Sequence, residues 1–190
     1  MSGKTSSRDA ILDAAEAVVR EAGAAHLTLD AVAHRAGVSK GGLLYNFRSK
    51  DALVEGMIAR CLERFEADRQ AGEDRQRPGA TRRLEAYVKA SMNRAGPPQP
   101  VNAALLAAGA NNPKLLDPLR EFNRTWFGEL ARHRQGFPRA IAVVLATHGL
   151  WLLETLQLSP LTAAQRRRVV KELLVLADSA SGTESRPLFP

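Results

Sequence analysis

Apolar positions in this chain recur at intervals of three and four, and nowhere do they alternate as they would along a half-buried strand. From Arg8 to Glu21 and just beyond, Ile11, Ala15, Val18 and Ala22 fall at i, i+4, i+7 and i+11, flanked by Leu12 and Val19. This predicts an amphipathic first helix ended by Gly23. Leu29, Val32, Ala33 and Ala36 repeat the pattern over a shorter second helix, with Thr28 placed to cap its start. Gly37 stops that helix, because a sharp exit needs the left-handed backbone that glycine tolerates. Ser39 caps a third helix of about two turns, with Leu43, Leu44 and Phe47 as its apolar side. Ser49 caps a fourth, on which Leu53, Val54, Met57, Ile58, Cys61, Leu62 and Phe65 repeat at helical spacing to about Gln70. Cys61 shares the stripe of Leu53 and Met57 and reads as a small buried hydrophobe.

The segment Ala71 to Ala80, rich in glycine and charge, predicts a loop and the clearest boundary. Thr81 then caps a fifth helix carrying Leu84, Tyr87, Val88 and Ser91 or Met92, ended by Gly96-Pro97-Pro98-Gln99-Pro100. A sixth runs from Val101 to Ala110 and breaks at Asn111-Asn112-Pro113. A seventh, reaching about Arg134, aligns Leu115, Leu119, Phe122, Trp126 and Leu130, and Pro118 predicts a kink or a late start within it. Pro138 opens an eighth helix that is apolar nearly all round from Ala140 to Leu158, and such a helix must be buried all round. In a chain of this size that is achieved by packing on its own core and on a second subunit. After Ser159-Pro160, a ninth helix from Thr162 to Asp178 continues the stripe through Val169, Leu173, Leu176 and Ala177, with Arg166-Arg167-Arg168 as its solvated face and Ser179 to Pro190 as a tail. The fold class is all-α, about nine helices, with no internal repeat.

The second and third helices with their tight glycine turn form a helix-turn-helix, which suits the major groove: one helix enters while the other braces it across the backbone. On patterning alone an ordinary helical hairpin remains open. Lys40, Gly41, Gly42, Tyr45 and Asn46 lie off the apolar side of the third helix and are available to a partner.

Ala36-Gly37-Val38-Ser39, Gly41, Leu43-Leu44-Tyr45, Phe47 and Lys50 resemble the pattern of the tetracycline-repressor (TetR) family of bacterial transcriptional regulators. Asn46 departs from it where histidine is usual, and Leu44 where tyrosine is commoner. The close match covers Arg8 to about Arg64. The resemblance implies a three-helix DNA-binding domain at residues 1–50 and a helical effector-binding and dimerisation domain at 51–190, with the fourth helix as the lever between them. It implies phosphate contacts from Thr28, Ser39, Tyr45 and Lys50, and places Lys40, Gly42 and Asn46, with Gly41 beside them, nearest the base edges. A homodimer through the eighth and ninth helices, a palindromic double-stranded operator and a repressor relieved by a small-molecule effector are what such a chain is expected to have. A constitutive DNA-binding protein without ligand, or an activator, are the alternatives.

Composition changes this picture modestly. Twenty-seven basic against twenty acidic residues give a net charge of +7, which favours a polyanionic partner. Residues 1–50 hold seven basic and five acidic side chains, a net of only +2, so the charge does not locate the DNA face. Lys4 and Arg8 in the terminal arm are minor candidates for phosphate or minor groove. One cysteine forms no intramolecular disulfide, and no apolar run is long enough to span a membrane, so the expected location is the cytoplasm. His26, His34, His133 and His148 are scattered without metal-ligand spacing, and Gly41-Gly42 lacks the phosphate-cradling pattern of a P-loop. No enzyme activity, metal or cofactor is therefore expected. For the effector, the aromatic and polar groups on the apolar helices are Tyr87, Phe122, Trp126, His148 and Trp151, and their scarcity of polar atoms predicts an apolar or aromatic molecule.

Overall fold

A computed structural model of the chain describes residues 6–74, 80–94, 100–132 and 137–179. Among the described residues there are nine α-helices and no strand: α1 (Ser7–Ala22), α2 (Leu29–Ala36), α3 (Lys40–Asn46), α4 (Lys50–Asp74), α5 (Ala80–Arg94), α6 (Pro100–Asn111), α7 (Asp117–Ala131), α8 (Phe137–Thr155) and α9 (Ala163–Ser179). Lys4, the break at Gly96 to Gln99, His133 and Arg134, and the tail after Ser179 lie outside the described residues.

The helix ends follow side-chain chemistry. Ser6, Thr28, Ser39 and Ser49 each accept a hydrogen bond at 3.1 Å from the amide three residues on, satisfying one of the donors a helix start leaves without a partner. Gly37 leaves α2 with φ 67°, in the left-handed region, and its N–H turns back to the carbonyl of His34. At α9 the Thr162 hydroxyl accepts from the Gln165 amide (3.2 Å) while the Gln165 side chain accepts from the Thr162 amide (2.9 Å), a reciprocal cap.

Several boundaries differ from the periodicity: α5 begins at Ala80, so Thr81 lies within the helix it is expected to cap, α6 begins at Pro100 and α7 ends at Ala131. The loop assigned to Ala71 onward begins later, since α4 continues to Asp74. Its Gly72 lies against α5, where a Cβ would stand 3.4 Å from that of Ala86, and this packing outweighs the weak helix propensity of glycine. Pro118 marks a late start: Pro113–Leu116 is a 3₁₀ turn, and α7 begins at Asp117 with proline in its first turn, where its missing N–H is not needed.

The chain packs as two compact units, Met1–Glu63 with Gln99–Phe122, and Arg64–Pro98 with Asn123–Pro190. The core of the first gathers Ile11, Leu12, Val32, Leu43, Phe47, Leu53 and Met57, together with Leu105 of α6 and Leu115 of the 3₁₀ turn. Leu44, expected on the apolar side of α3, is instead at the exposed rim, and Ala22 is exposed as well. Gly56 lets α4 cross Phe47 closely, for a Cβ there would lie 2.6 Å from the ring. Buried Arg60 reaches from α4 to Asp13 (2.7 Å), Glu16 (2.5 Å) and the Asp9 carbonyl (3.3 Å) of α1. Cys61 is half-buried, its thiol donating toward the Asn102 side-chain oxygen at 3.9 Å.

In the second unit α5 packs on α8 and α9, burying Leu84, Val88, Val143, Val144, Leu150, Leu173 and Ala177. Here α8 is two-faced within the chain. Val144 faces inward at 0% exposure, whereas Leu145 (57%), Leu152 and Leu153 face out. The arginine run of α9 is only partly solvated: Arg167 and Arg168 are exposed, but Arg166 is half-buried, bonded to Glu154 (2.6 Å) and to the Met92 carbonyl (3.1 Å).

Candidate nucleic-acid interface and aromatic cluster

The residues singled out for DNA occupy the start of α2, all of α3 and the start of α4. Thr28 and Ser39 are exposed caps whose hydroxyls are engaged with their own helices. Tyr45 is 90% exposed, outside the packing among the described residues. Lys50, first residue of α4, is exposed, as is Gly41. Gly42 is half-buried, and a Cβ on it would come within 3.3 Å of the Ser39 hydroxyl, so a bare backbone serves the cap there.

Two of these side chains have partners that the sequence did not disclose. Lys40 forms an ion pair with Asp30 of α2 at 2.9 Å, and both are well exposed. A base or phosphate contact by Lys40 therefore exchanges Asp30 for DNA. The Asn46 amide group donates to the Gly42 carbonyl (3.0 Å) and points to the Ser7 hydroxyl at 3.5 Å. Beside it Arg8 lies over the Phe47 ring, 5.3 Å from the centroid, which holds the start of α1 against the end of α3.

The residues singled out for an effector are brought together only in part. In the second unit Tyr87 (1% exposed) and Trp126 (3%) stack with centroids 4.8 Å apart and planes 9° from parallel. Tyr87 also hydrogen-bonds through its hydroxyl to His148 Nε2. Trp151 is half-buried three residues beyond His148 on α8. Phe122 belongs to the first unit, because α7 runs from one unit into the other. Two members of the cluster were not anticipated. Phe65 meets Tyr87 edge-on at 5.3 Å, and buried Arg69 lies over the Trp126 ring at 4.9 Å. Both are on α4, four residues apart and so on one face, which is the sequence signal that would have found them.

The electrostatics of the cluster are nearly self-contained. Arg69 is held by Glu66 through two nitrogens and by Glu73 through a third. Burial lowers the Arg69 pKa, but the hydrogen bond and charge of Glu66, with Glu73 and Glu129 beyond, raise it more, and the Arg69 hydrogen bond holds Glu66 below the usual carboxylate range. Burial raises the Tyr87 phenol far above its ordinary value and lowers that of His148, so both are neutral near pH 7. The Trp126 indole N–H is buried without a hydrogen-bond partner. Among the described residues no group of three or more His, Cys, Asp or Glu could hold a metal ion, and no helix is long and apolar enough to cross a membrane.

Two family models match the chain: "Bacterial regulatory proteins, tetR family" over residues 11–57, and "Tetracyclin repressor-like, C-terminal domain" over residues 81–178. Solved structures share the fold. One described as a transcriptional regulator from Pseudomonas aeruginosa PAO1 is 20% identical, with a TM-score of 0.67 over 91% of each chain. Another, described as a TetR-family transcriptional regulator from Rhodococcus sp., is 25% identical, with a TM-score of 0.66 over 93% of this chain and 98% of its own. The multidrug binding protein EbrR, complexed with imidazole, is 26% identical, with a TM-score of 0.63 over 87% and 88%. No curated protein matches the chain.

Proposed function

We propose, because this chain belongs to the TetR family of bacterial transcriptional regulators, that it is a cytoplasmic repressor which binds a palindromic operator as a homodimer and is released by a small, largely apolar effector. Residues 1–50 read DNA and residues 51–190 bind effector and dimerise. The observation that carries the reading is the pair of capped helices α2 and α3, closed by left-handed Gly37 and presenting Tyr45 and Lys50 outward from a buried base of Leu43 and Phe47. Outward Leu145, Leu152 and Leu153 on α8 support a self-complementary dimer face continuing onto α9. The kinship to a multidrug binding protein supports a ligand for the second unit.

In this reading Thr28, Ser39, Tyr45 and Lys50 meet phosphates, and Lys40, Gly42 and Asn46 approach the bases, with Gly41 beside them. A protection footprint on selected operator DNA tests it. Two-fold symmetric protection of successive major grooves is expected, and Lys50→Ala should weaken all sequences alike, reducing the slope of log K against log salt by about 0.9 for each phosphate it no longer neutralises. An asymmetric footprint overturns the dimeric operator. Regulation is tested by linkage. An effector that weakens operator binding by a factor of about 5–150 must bind the operator complex more weakly by the same factor. Equal effector affinity with and without operator leaves a constitutive DNA-binding protein.

A further inference from the structure

We infer that Asp30 is a specificity-determining residue: paired with Lys40 at the head of α3, it keeps that ammonium from serving as a phosphate contact and directs it to a purine edge in the major groove. This rests on the operator-binding reading above and assigns one more residue within it.

Asp30 is the one acidic residue between Thr28 and Lys50, a stretch that also holds His34, Arg35, Lys40 and Arg48. The other acidic side chains of residues 1–50 lie on α1 and are engaged there or with a neighbouring helix. Asp9 accepts from Ser6 (2.6 Å), Asp13 and Glu16 hold Arg60, and Glu21 holds Arg35. Asp30 stands instead on the exposed side of the helix-turn-helix. It meets the Lys40 ammonium through both oxygens, at 2.9 and 3.2 Å, and both side chains are well exposed. Along α3 that exposed side continues from Lys40 and Gly41 to Leu44 and Tyr45, one turn on, while Leu43 and Phe47 are buried.

A carboxylate on such a face repels phosphate, and a surface that only gathered phosphates would have no use for it. Its effect falls on Lys40. The pair carries no net charge, so bringing it to DNA releases no condensed counterion. A phosphate offers the ammonium one anion in place of another and has to displace Asp30 whole, because the two anions repel. At a purine the exchange stops halfway. N7 is an uncharged acceptor, and an ammonium has three N–H donors, so Lys40 reaches N7 while it keeps at least one Asp30 oxygen. The group beside N7 is met as well, guanine O6 by the ammonium and the adenine amino group by the carboxylate. A pyrimidine has no N7 to offer. Asp30 therefore lowers affinity for DNA at large and raises discrimination between sequences.

The test is selection of binding sites from random duplexes by the full chain, followed by titration of the selected site and of a scrambled duplex over a range of salt. The wild type should enrich a two-fold symmetric site with a purine at one position of each half-site, preferred about tenfold over a pyrimidine. Asp30→Asn frees the ammonium for phosphate. It should tighten binding to the scrambled duplex, steepen the slope of log K against log salt by about 0.9 per subunit, and cut the purine preference to about twofold or less. Asp30→Asn combined with Lys40→Met removes the pair as a neutral unit, so it should restore the wild-type slope and abolish the purine preference. An exposed ion pair contributes little to stability, so thermal melts should show both variants folded. A slope for Asp30→Asn equal to or shallower than that of the wild type, or a purine preference that survives the double variant, overturns the inference and leaves the operator reading standing. Failure of the wild type to enrich any site overturns both.

Discussion

The two units each bury one arginine between two carboxylates but differ in how much other polar chemistry they take inside. Of the five polar or charged side chains buried among the described residues, Arg60 belongs to the first unit, and Arg69, Ser91, Thr147 and Thr155 to the second. Arg60 apart, the first unit keeps its polar chemistry at helix ends and at the surface, in four serine and threonine caps and in exposed ion pairs such as Arg35–Glu21 and Lys40–Asp30. The second draws more of it inside, Arg69 against Trp126 and Thr147 on the Val143 carbonyl. A rigid apolar base with a polar exterior suits a part that presents side chains outward; in the second unit the buried polar groups find partners within the chain, the Trp126 indole N–H excepted.

The largest test of that contrast is Leu12→Ala, which removes a fully buried side chain from the apolar core of the first unit and should cost about 2–5 kcal/mol in denaturant unfolding. In the second unit Arg69→Met should cost less, near or below the lower end of the about 3–5 kcal/mol expected for breaking a buried ion pair, because Glu66 and Glu73 keep partial access to water. If Arg69→Met proved neutral, the ion cluster would be ornamental to stability and the contrast would weaken. Glycines sharpen it at a smaller scale. Gly37→Ala forces a Cβ into the left-handed region and should destabilise by about 1–2 kcal/mol. Gly128→Ala, within α7 and with open space around it, should stabilise by up to about 1 kcal/mol, and thermal melts of the two variants should move in opposite directions.

The smallest effect is in pH. Burial lowers the pKa of His148 from 6.5, so below that value the unfolded chain takes up a proton that the folded chain, with Tyr87 facing the imidazole, resists. The unfolded state then binds more protons, and stability falls as pH drops through the window beneath 6.5. His148→Gln should flatten this portion of the stability profile, read as the thermal midpoint between about pH 7 and about pH 5.

This division also explains what could be read from the sequence. Caps, the Gly37 turn and the apolar face of α1 and α2 are local rules, so the first unit was legible nearly residue by residue. Leu44 was misplaced because a two-turn helix has room for one narrow buried stripe, which Leu43 and Phe47 fill. In the second unit Tyr87, Trp126 and His148 stood out by type, but their stacking comes from helices far apart in sequence. Phe65 stands in the sequence only as the end of the apolar stripe of α4, with Arg69 one turn beyond it, and neither position by itself signals the rings of α5 and α7 that it meets. Phe122 was grouped with Trp126 because both lie on one helical face, although the boundary between the units falls between them. Val144 shows the same limit: on a helix apolar all round, periodicity does not say which side meets the chain's own core.

The placement of the aromatic residues makes the molecule its own optical probe. Both tryptophans, Trp126 and Trp151, lie in the second unit, and the first holds a single tyrosine, Tyr45, in water. Emission excited at the red edge of the indole band therefore arises wholly from the second unit, while far-ultraviolet dichroism sums all the helices. Recorded together through one unfolding transition, the two signals report whether the two units melt as one body or in turn, with no label attached to either.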